Sequence, residues 1–469
     1  MSGVLLAARR ATAIAPLAAL RDGEATAPVM TRGRWILAGV FGAGTIALLA
    51  LGPVGGAAGG QAMAMNVSIS AAIALTAATP LLVPLAARLL PVRGAGVLAL
   101  LARASLRDNV RRCASTAAPL VILIGILVGQ STALLSFSAA GVAEQRAAIV
   151  ADYVVETELT DEDAFGALTG PSGVATLPGV ASASTEVTVP AAITTGQGEF
   201  AFSEIGTVTI VDPAAIAVAH PGAASLARLA EGTAAAGPSA IGVAVGDEVV
   251  VQVGDIDLGS LAVVAGSAGS MSAGPTLYLP HGAVSSEALA GATAVSFVSI
   301  DAGADADGIV GALSGAGVVT PLDEWLERTG ESGASTATSI LIVVLGLGSL
   351  YALVGVVNSV VIAAASRRRE FAVARASGLT RSQVVRGALL ESSIVTAIGV
   401  ALGLIASAGT MIATVIVTSA VTGAATLVVP WGLVAAVVVG AFLVTGVTSV
   451  WTSRSATSDP PVMLLRSRE

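Results

Sequence analysis

Apolar residues in this chain run in blocks more often than they alternate with polar ones. Four windows, 35–87, 113–143, 332–366 and 392–453, contain no Asp, Glu or Arg. A helix crossing ~30 Å of hydrocarbon needs about 20 apolar residues. The first and last windows are long enough for two crossings each. Each has a break, at Gly52-Pro53-Val54-Gly55-Gly56 through Gly60 and at 422–430. The pattern therefore predicts six membrane helices, at roughly 35–52, 66–88, 114–140, 338–365, 392–417 and 430–452. The segment between the third and fourth, 144–336, is patterned differently. Residues 151–158 read as a strand leaving the membrane and 161–168 as a helix with acids in its first turn. Val187–Val189 and Val208–Val211 are short β-branched runs, and Val249–Val253, Gly254-Asp255 and 260–264 read as a hairpin. Residues 295–300, 305–313 and 318–319 read as strand, helix and strand. The expected fold is a membrane α-helical protein with one large extracytoplasmic α+β domain between helices 3 and 4. Residues 322–331 are amphipathic, with Leu322, Trp325 and Leu326 on one face, and should run into the fourth span as a stalk.

Composition supports this reading. The chain has 469 residues, 54% hydrophobic and only 12% charged, and its mean hydropathy is +0.86. Soluble domains carry about 25% charge, which excludes a wholly soluble protein. All 23 basic residues are Arg. Segments 1–34, 88–112, 367–391 and 454–469 hold 5, 6, 6 and 3 of them. The positive-inside rule places these four segments, and so both termini, in the cytosol. Residues 147–336 carry 23 acids against two Arg, a net −21, while the whole chain sums to −8. With no basic surface patch, no nucleic-acid partner is expected. The expected location is a bacterial plasma membrane, in keeping with the Ala-, Gly- and Val-rich, Lys-free composition. Arg9 and Arg10 precede a short apolar stretch interrupted by Pro16, which does not read as a signal peptide.

Candidate chemistry is sparse. With no Lys there is no Walker A lysine and no Schiff base. One cysteine, Cys113, excludes an intrachain disulfide and a thiolate cluster. His220 and His281 form no HExxH pair and read as loop residues beside Pro221 and Gly282. Asp301, Asp305 and Asp307 lack the spacing and terminal Glu of a calcium loop and read as a helix-capping turn. Ser270 sits in no GxSxG elbow. No catalytic residue, metal ligand or resident cofactor is therefore expected. Within the spans, Gln130 and Asn358 are the notable polar groups and read as interhelical glue. The Gly125-x3-Gly129 and Gly399-x3-Gly403 pairs permit close helix approach. Without ionisable groups at mid-depth, ion-coupled transport is disfavoured.

Two segments match each other without gaps. RRATAIAPLAALRDGE at 9–24 and RSATSDPPVMLLRSRE at 454–469 both fit R-x-A-T-x3-P-x3-L-R-x2-E. The matched positions are Arg9, Ala11, Thr12, Pro16, Leu20, Arg21 and Glu24 against Arg454, Ala456, Thr457, Pro461, Leu465, Arg466 and Glu469. In the second copy this tail follows a span. The match reads as a duplication, with 1–34 as the cytosolic tail of a first repeat that the chain lacks.

Residues 366–391 read SRRREFAVARASGLTRSQVVRGALLE. With the 103–120 stretch RASLRDNVRRCASTAAPL and the P-x3-L-R tails, they resemble the FtsX-like (MacB-type) ABC transporter permease family. The pattern R-E-x4-R-A-x-G-x-T-x2-Q is carried by Arg369, Glu370, Arg375, Ala376, Gly378, Thr380 and Gln383. The order of elements from 113 to 469 agrees with that family. The resemblance implies the C-terminal half of a ten-span, two-repeat member. Residues 1–34 are then the leftover tail, 35–90 a two-helix linker and 91–112 a cytosolic interfacial helix. Residues 113–143 form span three, 144–336 the outer domain with its stalk, 337–453 spans four to six, and 454–469 a tail.

The resemblance further implies that the loop seats in a groove of an ABC ATP-binding subunit, which would bring ATP and Mg. Coupling would fall on Arg367, Arg368, Arg369, Glu370, Arg375, Gly378, Arg381 and Gln383. Glu391 would pair with a loop Arg or simply begin span five. A plain anchor against anionic lipid would account for the Arg residues alone. Arg103, Arg107, Arg111 and Arg112 read as membrane anchors. A second FtsX-like bundle, from another chain or the absent half, is the other expected partner. The implied function is a permease that transmits ATP-driven movement to the outer domain, for export or extraction of amphiphiles such as peptides, lipoproteins, lipids or antibiotics. The alternative is a non-transporting regulator that activates a cell-wall hydrolase or a sensor kinase. A membrane enzyme lacks a nucleophile–base or metal set.

Overall fold

The computed structural model describes residues 30–89, 104, 110–159, 173–196, 201–240, 242–267, 269–272, 274–365, 371, 373, 375 and 377–456. The first helix, α1 (Arg32–Leu51), is capped by Thr31, whose hydroxyl accepts from the Arg34 N–H. A 3-10 turn at Gly52–Gly55 joins it to α2 (Gly56–Leu89), with Gly56 at φ +64° making the corner. The break expected at 52–60 is therefore only the turn itself, and α2 begins ten residues before the expected 66. Pro80 and Pro84 lie within α2, each removing one intrahelical donor. Next comes α3 (Val110–Ala148), followed after the inserted domain by α6 (Leu322–Ala365). Thr422, Gly423 (φ +75°) and the irregular stretch to Pro430 separate α7 (Arg381–Thr422) from α8 (Trp431–Ala456).

These helices pack together, with α3 against α2, α6 and α7, and α8 against α6 and α7. Their exposed faces are apolar, as with Trp35, Ile36, Leu347, Tyr351, Trp431, Leu443 and Trp451, while Ser68, Thr396, Ser407, Thr410 and Thr418 are buried between helices. Apolar residues outside and small hydroxyl residues inside suit a lipid solvent. Among the described residues, four helical segments are long and apolar enough to cross a membrane: Arg32–Leu85, which includes α1 and most of α2, then Arg112–Ala148, Arg381–Thr422 and Trp431–Ser455. The apolar stretch Gly346–Ile362 of α6 is shorter.

The centre of the bundle is the contact of α3 with α7, with α2 alongside. A Cβ built on Gly403 would lie 2.7 Å from Ile124 Cβ, and one on Gly399 3.0 Å from Leu120 Cβ. On the facing helix, a Cβ on Gly125 would lie 2.9 Å from Ala406 Cβ, and one on Gly129 2.7 Å from Ser68 Cβ of α2. All four glycines singled out by spacing thus sit where backbones approach too closely for a side chain. Gln130 donates to the Met65 carbonyl of α2 at 3.0 Å. Asn358 stands on an exposed face of α6, with no hydrogen bond among the described residues.

The inserted domain has nine strands. They are β1 (Tyr153–Glu158), β2 (Val180–Thr195), β3 (Phe202–Val211), β4 (Thr233–Ala236), β5 (Glu248–Val253), β6 (Ile256–Gly266), β7 (Leu277–Pro280), β8 (Thr293–Ile300) and β9 (Val318–Pro321). Helices α4 (Pro213–Ala219) and α5 (Ala306–Leu313) complete it. Strands β2-β3-β7-β4-β6-β5 close back on β2 as a six-stranded barrel, and β8, β1 and β9 extend the sheet from the first half of β2. The long β2 is shared by both parts: 180–187 pair with β8, 192–195 with β5 and 186–195 with β3 on the other side. Pro190, which has no N–H to donate, falls where the ladder changes partner. Inside the barrel Val249, Val251 and Val253 of β5 are buried, while Glu248, Val250 and Gln252 point out, the alternation a strand with one solvated face requires.

The expected hairpin at 249–264 is β5–β6, turning at Gly254 (φ +57°). The expected strand–helix–strand is β8–α5–β9, with Asp305 as the N-cap residue of α5. The runs at 187–189 and 208–211 are parts of strands of 16 and 10 residues. Ser, Thr and Ala fill the rest, so β-branched runs underestimate them. The helix expected at 161–168 lies outside the described residues.

The domain joins the bundle through a stiff corner. Asp152 N–H donates to the Val298 carbonyl and Leu322 N–H to the Asp152 carbonyl. Arg146 of α3 pairs with Asp323 of α6. Leu322 and Leu326 are buried against Val154 and Phe297, and α6 runs on unbroken, as the amphipathic stretch 322–331 predicts. Trp325 donates to Glu156 at 3.1 Å, and Arg328 pairs with the same carboxylate at 3.1 Å. His220 is no free loop residue: it bonds Glu186 at 2.7 Å and meets Phe297 edge-on, as Phe297 meets Trp325. Burial, and behind it the charge of Glu186, hold the Tyr278 hydroxyl well above its ordinary value of 10.0.

Two outcomes follow. Gly403→Leu should lower the thermal stability of the detergent-solubilised protein by about 2 kcal/mol through overpacking against Ile124, while Gly346→Leu, with open space around it, should be neutral. Because the folded state favours the neutral Tyr278 phenol, its contribution is intact below pH 10 and is lost as pH rises further. Tyr278→Phe should therefore flatten the fall in melting temperature between about pH 9 and 11.5, read by circular dichroism.

Candidate functional site

The segment leading into α7 is built by local capping. The Thr380 hydroxyl accepts from the Gln383 N–H at 3.3 Å, and the Gln383 side chain accepts from the Thr380 N–H at 2.8 Å. This reciprocal box satisfies two of the orphan donors of α7. Before it, Ser377 N–H donates to the Val373 carbonyl and Gly378 N–H to that of Arg375. The chain then turns at Gly378, whose φ of +101° favours glycine. The helical residues Phe371, Val373 and Arg375 and the start of α7 are thus separated by a turn at Gly378.

Phe371 keys the residues before the turn into the bundle. It is buried against Leu379, Val384 and Ala388, and it lines a cavity of about 50 Å3 with Arg112 and Cys113 of α3, Val360 of α6, Glu391 of α7 and Ser453 of α8. All four helices therefore meet the segment at one end of the bundle. Arg381 donates to the Arg454 carbonyl at 2.7 Å. A guanidinium there complements the negative end of α8 and ties the start of α7 to the end of α8.

Glu391 is buried and pairs with Arg112 of α3 at 3.1 Å. Arg112 is itself part of α3 and mostly covered, so it holds helices together at a depth where a surface anchor would not sit. Of the residues singled out for coupling, Arg375, Gly378, Arg381, Gln383 and Glu391 are thus gathered at this end. Arg367, Arg368, Arg369 and Glu370 lie outside the described residues, as do Arg103 and Arg107 and the side chain of Arg111.

Sequence reasoning missed Phe371 and read Arg112 as a membrane anchor, not as the partner of Glu391. The signal for Phe371 was present in the spacing of Val384, Ala388 and Glu391 along one face of α7, which leaves an apolar slot at its start. The T-x2-Q of the capping box was also readable. The Arg112–Glu391 pair joins residues 279 positions apart, and no local pattern reports it.

Residues 342–461 match the family model of the FtsX-like permease C-terminal domain. The match takes in the apolar part of α6, the capped segment, α7 and α8, which is the part of the molecule just described. A comparison with curated proteins finds no match. Over these residues the chain carries the C-terminal domain of FtsX-like permeases, which are membrane proteins of the ABC permease type. Such permeases work with an ABC ATPase partner.

Removing one member of a buried ion pair strands the other. Arg112→Ala should lower unfolding stability by about 3 kcal/mol in detergent, and Arg112→Ala with Glu391→Leu should recover part of that loss. Differential scanning fluorimetry of the three proteins checks both.

Proposed function

We propose that this protein is the permease subunit of an ABC transporter and that it transmits ATP-driven movement from a cytosolic ATPase to an extracytoplasmic β domain. One observation carries the reading. The capped segment 371–383 is packed against α3, α6, α7 and α8 at one end of the bundle, while α3 and α6 continue at the other end into the domain. A push on the segment is therefore a push on the two helices that hold the domain.

In this reading all six bundle helices cross the membrane and both termini face the cytosol. At 39 and 44 residues, α3 and α6 are about 58 and 66 Å long. That exceeds the ~30 Å of hydrocarbon by enough to place the domain outside. Arg367, Arg368, Arg369, Glu370, Arg375 and Arg381 would meet the ATPase, with Gly378 setting the angle and Gln383 the rigidity of what it grips. ATP and Mg act in that subunit. A second FtsX-like bundle completes the pair on which a nucleotide-binding dimer acts. The cargo class that suits a permease moving force rather than solute is an amphiphile: peptide, lipoprotein, lipid or antibiotic.

The test is co-purification from detergent with candidate ABC ATPases. Wild type should retain its partner, and Gly378→Pro with Arg375→Glu should lose it at least about tenfold once the charge-assisted contact of Arg375 and the turn are gone. Membrane insertion of the variant is verified first by protease protection. Equal retention by an inserted variant would sink the placement of the contact.

A further inference from the structure

A second contact joins the domain to the bundle, far along the chain from the covalent corner. The loop after β6 descends onto the ends of α2 and α3. Glu144 of α3 accepts from the Met271 N–H at 2.6 Å and from the Ser270 hydroxyl at 3.0 Å through one carboxylate oxygen. The Ser272 N–H donates to the Ser270 hydroxyl, which tightens the turn around the carboxylate. Gln61 of α2 donates to the Met271 carbonyl at 3.2 Å. The Met271 side chain is buried between helices with Ala57, Ala64, Val67, Phe137, Ala413 and Val417.

Two physical points set this contact apart from incidental packing. Glu144 lies in the penultimate turn of α3, where the helix macrodipole disfavours a carboxylate by up to about 1 kcal/mol. The loop supplies both donors that compensate it. Met271 fits a slot floored by alanines, and an unbranched, polarisable thioether is the side chain best able to follow such a slot as it changes shape. Helix α2, moreover, does not run directly into the domain, and this loop gives it a non-covalent contact of its own.

We propose that residues 269–272 form a second joint of the transmission path, with Glu144 and Gln61 as positioning residues and Met271 as the plug, so that the domain reads the separation of α2, α3 and α7 at this end of the bundle. The proposal rests on the transmission reading above. It adds a third helix, α2, to the two that enter the domain, and it makes the joint non-covalent and so able to open.

The experiment uses the full-length chain in membranes with Cys113→Ala and the pair Gly141→Cys and Ser272→Cys. A Cβ at 141 would lie 3.3 Å from the Ser272 Cβ and 3.1 Å from its backbone nitrogen, so a shift of a few tenths of an ångström brings the pair to disulfide spacing. A second pair, Thr188→Cys and Thr209→Cys, whose native hydroxyls touch at 2.8 Å within the barrel, reports that the domain is folded. Mild oxidation should close both pairs. Glu144→Ala or Met271→Asp should slow closure of 141–272 at least about tenfold, the loss expected for hydrogen bonds to a charged group, and leave 188–209 unchanged. Unchanged closure of 141–272 would overturn the joint. In membranes that also hold an ATPase shown to bind this chain, ATP with vanadate should alter the 141–272 rate. An unaltered rate with the ATPase bound overturns the joint's part in transmission and leaves the coupling segment standing. Failure of every ATPase to bind overturns the coupling reading and leaves the joint's geometry to the first arm.

Discussion

The closeness of α3 to α7 is the constraint on which the rest of the molecule depends. Helices in lipid gain nothing from hiding apolar surface from one another, and association has to come from contact area and short-range attraction. Glycines 125, 129, 399 and 403 supply that by letting backbone meet backbone. Because α3 and α7 cannot slide without lifting Ile124 or Leu120 out of these notches, the pair moves as a unit. The capped segment at the start of α7 and the domain at the end of α3 are consequently two ends of one stiff object. An applied displacement has few places to dissipate between them.

The charges on α3 run against its dipole. Arg112 sits in its first turn and Glu144 in its penultimate turn, each at the end where the opposite sign is favoured. Each is held by a group outside the helix, Arg112 by Glu391 and Glu144 by the loop after β6. A rod pinned at both ends by side chains from other elements differs from one held by burial alone. Each pin is directional, and each can be released while the apolar packing persists.

The helices were legible in the sequence because lipid imposes a length and an absence of charge, and both can be counted. The windows at 113–143 and 392–453 fell within α3 and within α7 with α8. The β5–β6 hairpin and β8–α5–β9 were legible because Gly254 and Asp305 punctuate them. Closure of the barrel was not, since it rests on pairings such as β3 with β7 that join residues about 70 positions apart, and nothing local announces a partner at that distance. The same reason hides Arg112 with Glu391 and Glu144 with Ser270. Within the coupling segment, Gly378 and Gln383 were found by pattern. Their physical roles, a left-handed turn and a reciprocal cap, stiffen the segment from within, which is a different matter from gripping a partner. His220 lies in the loop after α4, as expected, but its partners Glu186 and Phe297 come from strands well before and after it, and no local pattern reports them.

The closed ring has one more effect. With β2 through β7 joined in a circle, the sheet keeps a single terminal strand, β9, of four residues lying beside the root of α6. The rims left for an incoming strand are short: β9, the first half of β3 beyond its pairing with β7, and the first half of β6 beyond its pairing with β4. Edges this short limit how far another sheet could stack onto this one.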